Sequence, residues 1–201
     1  MNFHHIVSIL QELPEDQGSD TLTNFALELS QYDDNQSREQ FLLLTANLNN
    51  NIENPSIHSA LADIAIYTED SENMVLDALN LLKPFQLDDY EKEQILTRIN
   101  NLLANSDGAN HSLLVNNALK FSNNEEREQM ANQFIDSKHD IETRHGVLEA
   151  LHTGTVPRSN LIKNQLINIA SSQSDPLNQA AKNTLKDLFY ITYQEYEQIK
   201  N

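Results

Sequence analysis

A leucine that returns about every 34 residues limits what this chain can fold into more than any other feature. Leu13, Leu48, Leu82, Leu119, Leu151 and Leu185 follow one another at spacings of 35, 34, 37, 32 and 34. Four residues before each stands Ile9, Leu44, Ala78, Val115, Val147 or Ala181, apolar in all six. One helical turn separates the two positions, so they share a face. Apolar residues recur at i, i+3, i+4 and i+7 along nearly the whole sequence, and the alternation of a strand is absent. A single helical hairpin cannot bury both sides of such a stripe, whereas stacked hairpins cover one another. The expectation is an all-α chain: an α-solenoid of about six stacked hairpins forming one domain over 1–201. The hairpins fall at about 1–34, 35–69, 70–105, 106–137, 138–172 and 173–201.

Start signals divide the hairpins into helices. Ser37 with Gln40, Ser122 with Glu125 and Thr192 with Glu195 have capping-box spacing. Asn54 before Pro55 and Asp175 before Pro176 read as a cap preceding a first-turn proline. Reading from cap to breaker predicts helices near 3–13, 20–31, 38–50, 55–67, 72–82, 89–104, 109–121, 124–136, 141–152, 157–170, 176–189 and 193–200.

The run from Asp140 through Arg144, Val147 and Leu151, followed by Val156, Pro157, Leu161 and Ile162, resembles a HEAT repeat of the short bacterial, PBS-lyase type. Asp175, Pro176, Ala181 and Leu185 are similar to the next repeat, so the resemblance covers about 140–189. It implies a HEAT-like superhelix. The family's Arg position is filled by His5, Phe41, Val75 and Asn178 in other repeats, so the Asp–Arg ladder expected between repeats is mostly missing. Some proteins of this type are bilin-attachment lyases or nucleic-acid glycosylases; no residue here specifically supports bilin chemistry. Tetratricopeptide repeats share the period, but their Trp, paired Leu-Gly and late Pro are absent.

Charge says more about partners than about fold. The chain carries 13 Lys and Arg against 30 Asp and Glu, a net −17. Residues 1–82 hold one cation, Arg38, against 14 carboxylates, a net of −13; the remainder is close to balanced at −4. Nucleic acid and anionic membrane are polyanions and are therefore disfavoured as partners. One reading of the surplus is solubility; the sharper one is steering of a basic protein partner. The contact residues expected on that reading are Glu28, Asp33, Asp34, Asp63, Glu69, Asp70 and Asp77.

Chemistry-bearing patterns are sparse. With no Cys and four Gly, thiolate chemistry is excluded and phosphate-cradling loops are disfavoured. Glu142 with His145, and Glu149 with His152, put two Glu-x-x-His pairs on one arc of a helix. A di-metal bundle draws such ligands from several facing helices, so a solvated face with i, i+3 and i, i+4 pairs competes with a metal site. His4 and His5 read as a metal-binding fragment or, more simply, a frayed first turn, and the separate His58 and His111 have no placeable partners. Phe189, Tyr190, Tyr193 and Tyr196 concentrate aromatics near the end, where a final helix closes the stack or offers a binding surface.

The expectation is a cytoplasmic, non-catalytic protein-binding solenoid with no cofactor, whose acidic N-terminal half meets a protein with a basic surface. One alternative is an acidic inhibitor or immunity-type protein for a basic enzyme such as a nuclease. A second is a metal-binding protein using the 142–152 helix.

Overall fold

The computed structural model describes residue 8 and residues 15–48, 54–106 and 108–200. Among the described residues there are eleven α-helices, one short 3-10 turn and no strand. The helices are α1 Glu15–Leu29, α2 Asn35–Asn47, α3 Pro55–Tyr67, α4 Glu72–Leu81, α5 Asp89–Leu103, α6 Gly108–Phe121, α7 Asn124–Phe134, α8 Ile141–His152, α9 Asn160–Ser171, α10 Asn178–Leu188 and α11 Tyr193–Ile199. The protein is therefore all-α, as the periodicity predicts. The helix expected at 3–13, with Ile9 and Leu13, and the pair His4 and His5 lie outside the described residues.

Caps set where helices begin, and several differ from the predicted ones. Asn54 accepts from the Ser56 and Ile57 N–H groups ahead of Pro55, and Thr192 closes a full capping box with Glu195, as expected. At α2 the cap is Asp34, three residues before Ser37; its carboxylate accepts both the Ser37 N–H (2.9 Å) and the Ser37 hydroxyl (2.7 Å). At α7 the cap is Asn123, which accepts from the Glu126 N–H, and the adjacent Ser122 hydroxyl instead donates back to Leu119 O. Helix α1 starts five residues earlier than predicted, at Glu15. Helix α9 starts later, after Ser159, so Val156 and Pro157 stay in the preceding loop. Asp175 does not cap α10, because one of its carboxylate oxygens binds Arg144 and the other accepts from Leu177 N–H.

The chain divides into two compact units, Met1–Arg98 and Ile99–Asn201. In the first, α1 packs on α2 and α3, α2 on α4, and α3 on α4. In the second, α6 packs on α7 and α8, α7 on α9, α8 on α10, and α9 on α10 and α11. Several helices in each unit thus touch both a sequence neighbour and the helix two further along. The leucines that mark the period, Leu48, Leu82, Leu119, Leu151 and Leu185, are all buried. So are Leu44, Ala78, Val115, Val147 and Ala181 one turn earlier. The repeated pair is therefore core, and each fully buried Leu contributes about 1.5–3 kcal/mol of apolar transfer energy.

Polar bonds in the second unit also recur one repeat apart. Ser112 Oγ donates to Glu142 O (2.9 Å), Arg144 binds Asp175 (2.7 Å), and Lys163 Nζ donates to Glu195 (2.8 Å), at separations of 30, 31 and 32 residues. Helices α6 and α8 lie so close at Gly146 that a Cβ there would stand 2.6 Å from Ser112 O and 2.7 Å from Val115 Cβ. Only glycine fits that crossing.

The scarce cations and one asparagine satisfy carbonyls that helix ends leave without partners. Arg98 donates to Thr68 O after α3 (2.7 Å), and Arg127 donates to Leu119 O (2.7 Å) and Ser122 O (2.8 Å) at the end of α6. Arg144 Nε donates to Ile135 O after α7 (3.2 Å), and Asn178 Nδ2 donates to Ala170 O (2.7 Å) and Ser172 O (3.0 Å) after α9. At the position seven before the periodic Leu, the second unit places Ser112, Arg144 and Asn178, all donors. The first unit places Phe41 and Val75 there, both buried, so its repeats are held at that point by apolar packing.

Candidate functional site

All seven carboxylates expected to contact a partner are exposed, and all lie in the first unit. Glu28 lies on α1, Asp33 and Asp34 lie between α1 and α2, Asp63 is on α3, Glu69 and Asp70 follow α3, and Asp77 is on α4. The structure brings Asp33 and Asp63 together in an open groove of about 620 Å³, lined also by Tyr32, Arg38, Phe41 and Tyr67. Asp77 lies instead in a more apolar concavity of about 440 Å³ between α2 and α4, with Glu39, Leu42, Leu43 and Met74. Glu28, Glu69 and Asp70 line neither.

These carboxylates differ in what they are free to do. Asp34 is committed to capping α2, and the Ser37 backbone and side-chain bonds hold its carboxyl below the usual range. Asp33 is ion-paired with Arg38 across the groove lining. Asp63 is pushed up by partial burial and then by the nearby Glu91 carboxylate, because both disfavour a second negative charge. Among the described residues no cation pairs with Glu28, Asp63, Glu69, Asp70 or Asp77.

Residues 1–98 contain only four Lys or Arg, and each has an internal contact. Arg38 is on Asp33, Lys83 is over the Phe85 ring (6.0 Å), Lys92 is near Asp89 (3.5 Å), and Arg98 is on Thr68 O. The acidic surplus of this unit is thus left facing solvent. The sequence reading missed the groove because Tyr32 and Tyr67 are 35 positions apart and carry no motif. Their exposure, 54% and 65%, becomes visible only once α1 and α3 pack.

The α8 helix separates its two Glu-x-x-His pairs by function. His145 Nδ1 lies 3.4 Å from Glu149, one turn on, while His152 Nε2 hydrogen-bonds Thr184 Oγ1 on α10 (3.2 Å). Glu142 offers its backbone carbonyl to Ser112. Among the described residues no three His, Asp or Glu side chains converge to hold a metal ion. His139 packs edge-on against Phe134 instead, with ring centroids 5.7 Å apart.

Two histidines without placeable partners in the sequence have them here. His58 is buried, and its Nε2 accepts from the Lys83 N–H (3.3 Å); burial pulls its pKa down, so it is a neutral acceptor. His111 Nδ1 meets Ser106 Oγ (2.9 Å), and its Nε2 meets Thr143 Oγ1 (2.8 Å), whose hydroxyl donates to Asp140 (2.9 Å). Because the Thr143 hydroxyl donates to Asp140, its oxygen accepts from His111 Nε2–H, and Nδ1 faces Ser106 Oγ. The bonds tie the start of α6 to the start of α8.

At the C-terminal end α11 docks on α9 through buried Ile199 and the Lys163–Glu195 pair. Tyr190, Tyr193 and Tyr196 are 86%, 77% and 53% exposed. Of Tyr193, Tyr196 and Ile199, expected together to pack over the last hairpin, Ile199 is buried and the two tyrosines are not. Among the described residues no helix is long and apolar enough to cross a membrane. Searches against known protein families, curated proteins and solved structures returned no match.

Proposed function

We propose that this chain is a HEAT-like α-solenoid that binds, without catalysing a reaction, a protein partner of basic surface through the acidic face of its N-terminal half. The observation that carries the reading is the uncompensated charge of the first unit. Glu28, Asp63, Glu69, Asp70 and Asp77 are exposed with no cation on them, while the few cations nearby are engaged elsewhere. Unpaired carboxylates of one sign raise encounter rates with a basic partner and repel acidic ones. The repeating arrangement is supported by the contacts α1 with α3, α2 with α4, α6 with α8, α7 with α9, α8 with α10 and α9 with α11, and by bonds about one period apart in the second unit.

The test is affinity capture from cell extract at low and at about 0.5 M salt, with identification of what is retained. The full chain is compared with a variant carrying Lys at Glu28, Asp63, Glu69, Asp70 and Asp77. A basic protein retained at low salt, released at high salt and lost from the charge-reversed variant supports the reading, because screening shortens electrostatic range from about 10 Å at 0.1 M to about 3 Å at 1 M. Capture indifferent to both salt and reversal overturns it. If the retained protein is an enzyme that the chain inhibits stoichiometrically, the inhibitor form of the same reading applies.

A further inference from the structure

Resting on that reading, we infer that the groove between the α1–α2 turn and α3 is the point where an arginine side chain of the partner inserts. The groove already accommodates one guanidinium, since Arg38 lies in its lining, ion-paired with Asp33. A second carboxylate, Asp63, lines the same space with no cation on it among the described residues. The space of about 620 Å³ is ample for an arginine side chain, and Tyr32 and Tyr67 border it with most of their surface in solvent.

That combination selects arginine over lysine. A guanidinium is planar, stacks on aromatic faces and offers paired N–H donors to a carboxylate, whereas an ammonium is a compact, strongly hydrated point charge. Asp63 supports the assignment in another way: partial burial and Glu91 make its negative charge costly in the free protein. An incoming cation relieves that cost. Arg38 has the opposite effect, because it neutralises Asp33 and competes for the groove.

The test uses the full chain with nona-arginine and nona-lysine peptides as probes, followed by calorimetric titration and by amide shifts of Tyr32, Asp63 and Tyr67. Nona-arginine is expected to bind at least about fivefold tighter than nona-lysine. Asp63→Asn should weaken nona-arginine about three- to tenfold, the loss of one charge-assisted contact at a partly exposed site. Tyr67→Ala should erase most of the preference for arginine. Arg38→Gln should strengthen binding, a direction that a generic unfolding effect would not give.

Equal binding of both peptides, unaffected by Asp63→Asn and by Arg38→Gln, overturns the groove assignment. If that binding is still lost on reversing Glu28, Glu69, Asp70 and Asp77 with Asp63 intact, the acidic-face reading stands and only the groove is wrong. If neither peptide binds at low salt, both fail.

Discussion

Replacing Gly146 by Ala sets two effects of known sign against each other. Helix propensity favours alanine over an interior glycine by about 1 kcal/mol. The packing of α6 against α8 opposes it. The added Cβ would stand 2.6 Å from Ser112 O and 2.7 Å from Val115 Cβ, about 1 Å short of ordinary van der Waals separation. Ser112 O is backbone and cannot swing aside, so the helices must separate. Overpacking of this kind costs about 1–3 kcal/mol. The same separation stretches two bonds that span the contact, Ser112 to Glu142 and His111 to Thr143, each contributing about 1 kcal/mol.

The net expectation is a destabilisation of about 1–3 kcal/mol, with packing winning. At 4–8 °C per kcal/mol for a unit of about a hundred residues, the calorimetric transition containing α6 and α8 should fall by roughly 5–20 °C. Denaturant melts followed by far-UV circular dichroism give an independent value. Adding Val115→Ala removes only the Cγ1 contact at 2.9 Å and should recover little, because the clashes with Ser112 O and Val115 Cβ remain. A Gly146→Ala protein as stable as the parent, or more stable, would refute the close approach and leave propensity as the only term.

Two further outcomes follow from buried or paired charges. Arg144 and Asp175 are paired at 2.7 Å with 4% and 9% of their side-chain surface exposed, so Arg144→Met alone should cost about 3–5 kcal/mol, while Arg144→Met with Asp175→Leu should recover part of it in urea melts, Ile135 O and Leu177 N–H having lost their partners. Glu195 is held down to about 2 by the hydrogen bond from Lys163 and then by the Thr192 N–H. A lowered carboxylate contributes stability that is present above its unfolded value and is lost as pH falls toward its folded one. Docking of α11 should therefore weaken between about pH 4.5 and 2, read as faster amide exchange at Tyr196 and Ile199, and Glu195→Gln should flatten that dependence.

Elements of the fold were legible where one local rule acted alone. The period marked by Leu48, Leu82, Leu119, Leu151 and Leu185 survived as buried positions, because a helix face can be read from spacing. Caps were misread where two polar residues competed. Asp34 outbid Ser37 because its carboxylate takes both the N–H and the hydroxyl of the serine, and Asp175 was drawn from capping to Arg144, a residue 31 positions away. The candidate site was legible only as charge. Glu28, Asp63 and Asp77 are exposed, but nothing in the sequence distinguishes Asp63, which shares a groove with two tyrosines, from Asp77, which does not. The same limit hid the bonds of His111, whose partners Ser106 and Thr143 lie on either side of a helix in sequence.

Three side-chain bonds in the second unit close chain loops of modest and nearly uniform length: Ser112 to Glu142, Arg144 to Asp175, Lys163 to Glu195, each about thirty residues. Loop-closure entropy grows only with the logarithm of length, and uniform loops give every step nearly the same toll. No one of these links needs the chain ends to meet, so assembly should be rapid and governed by neighbours. Helix α11, seven residues long, is tied to α9 by one ion pair and buried Ile199, so its loss should leave the Gly146 contact between α6 and α8 intact. A change confined to that helix should therefore stop short of the α6–α8 packing.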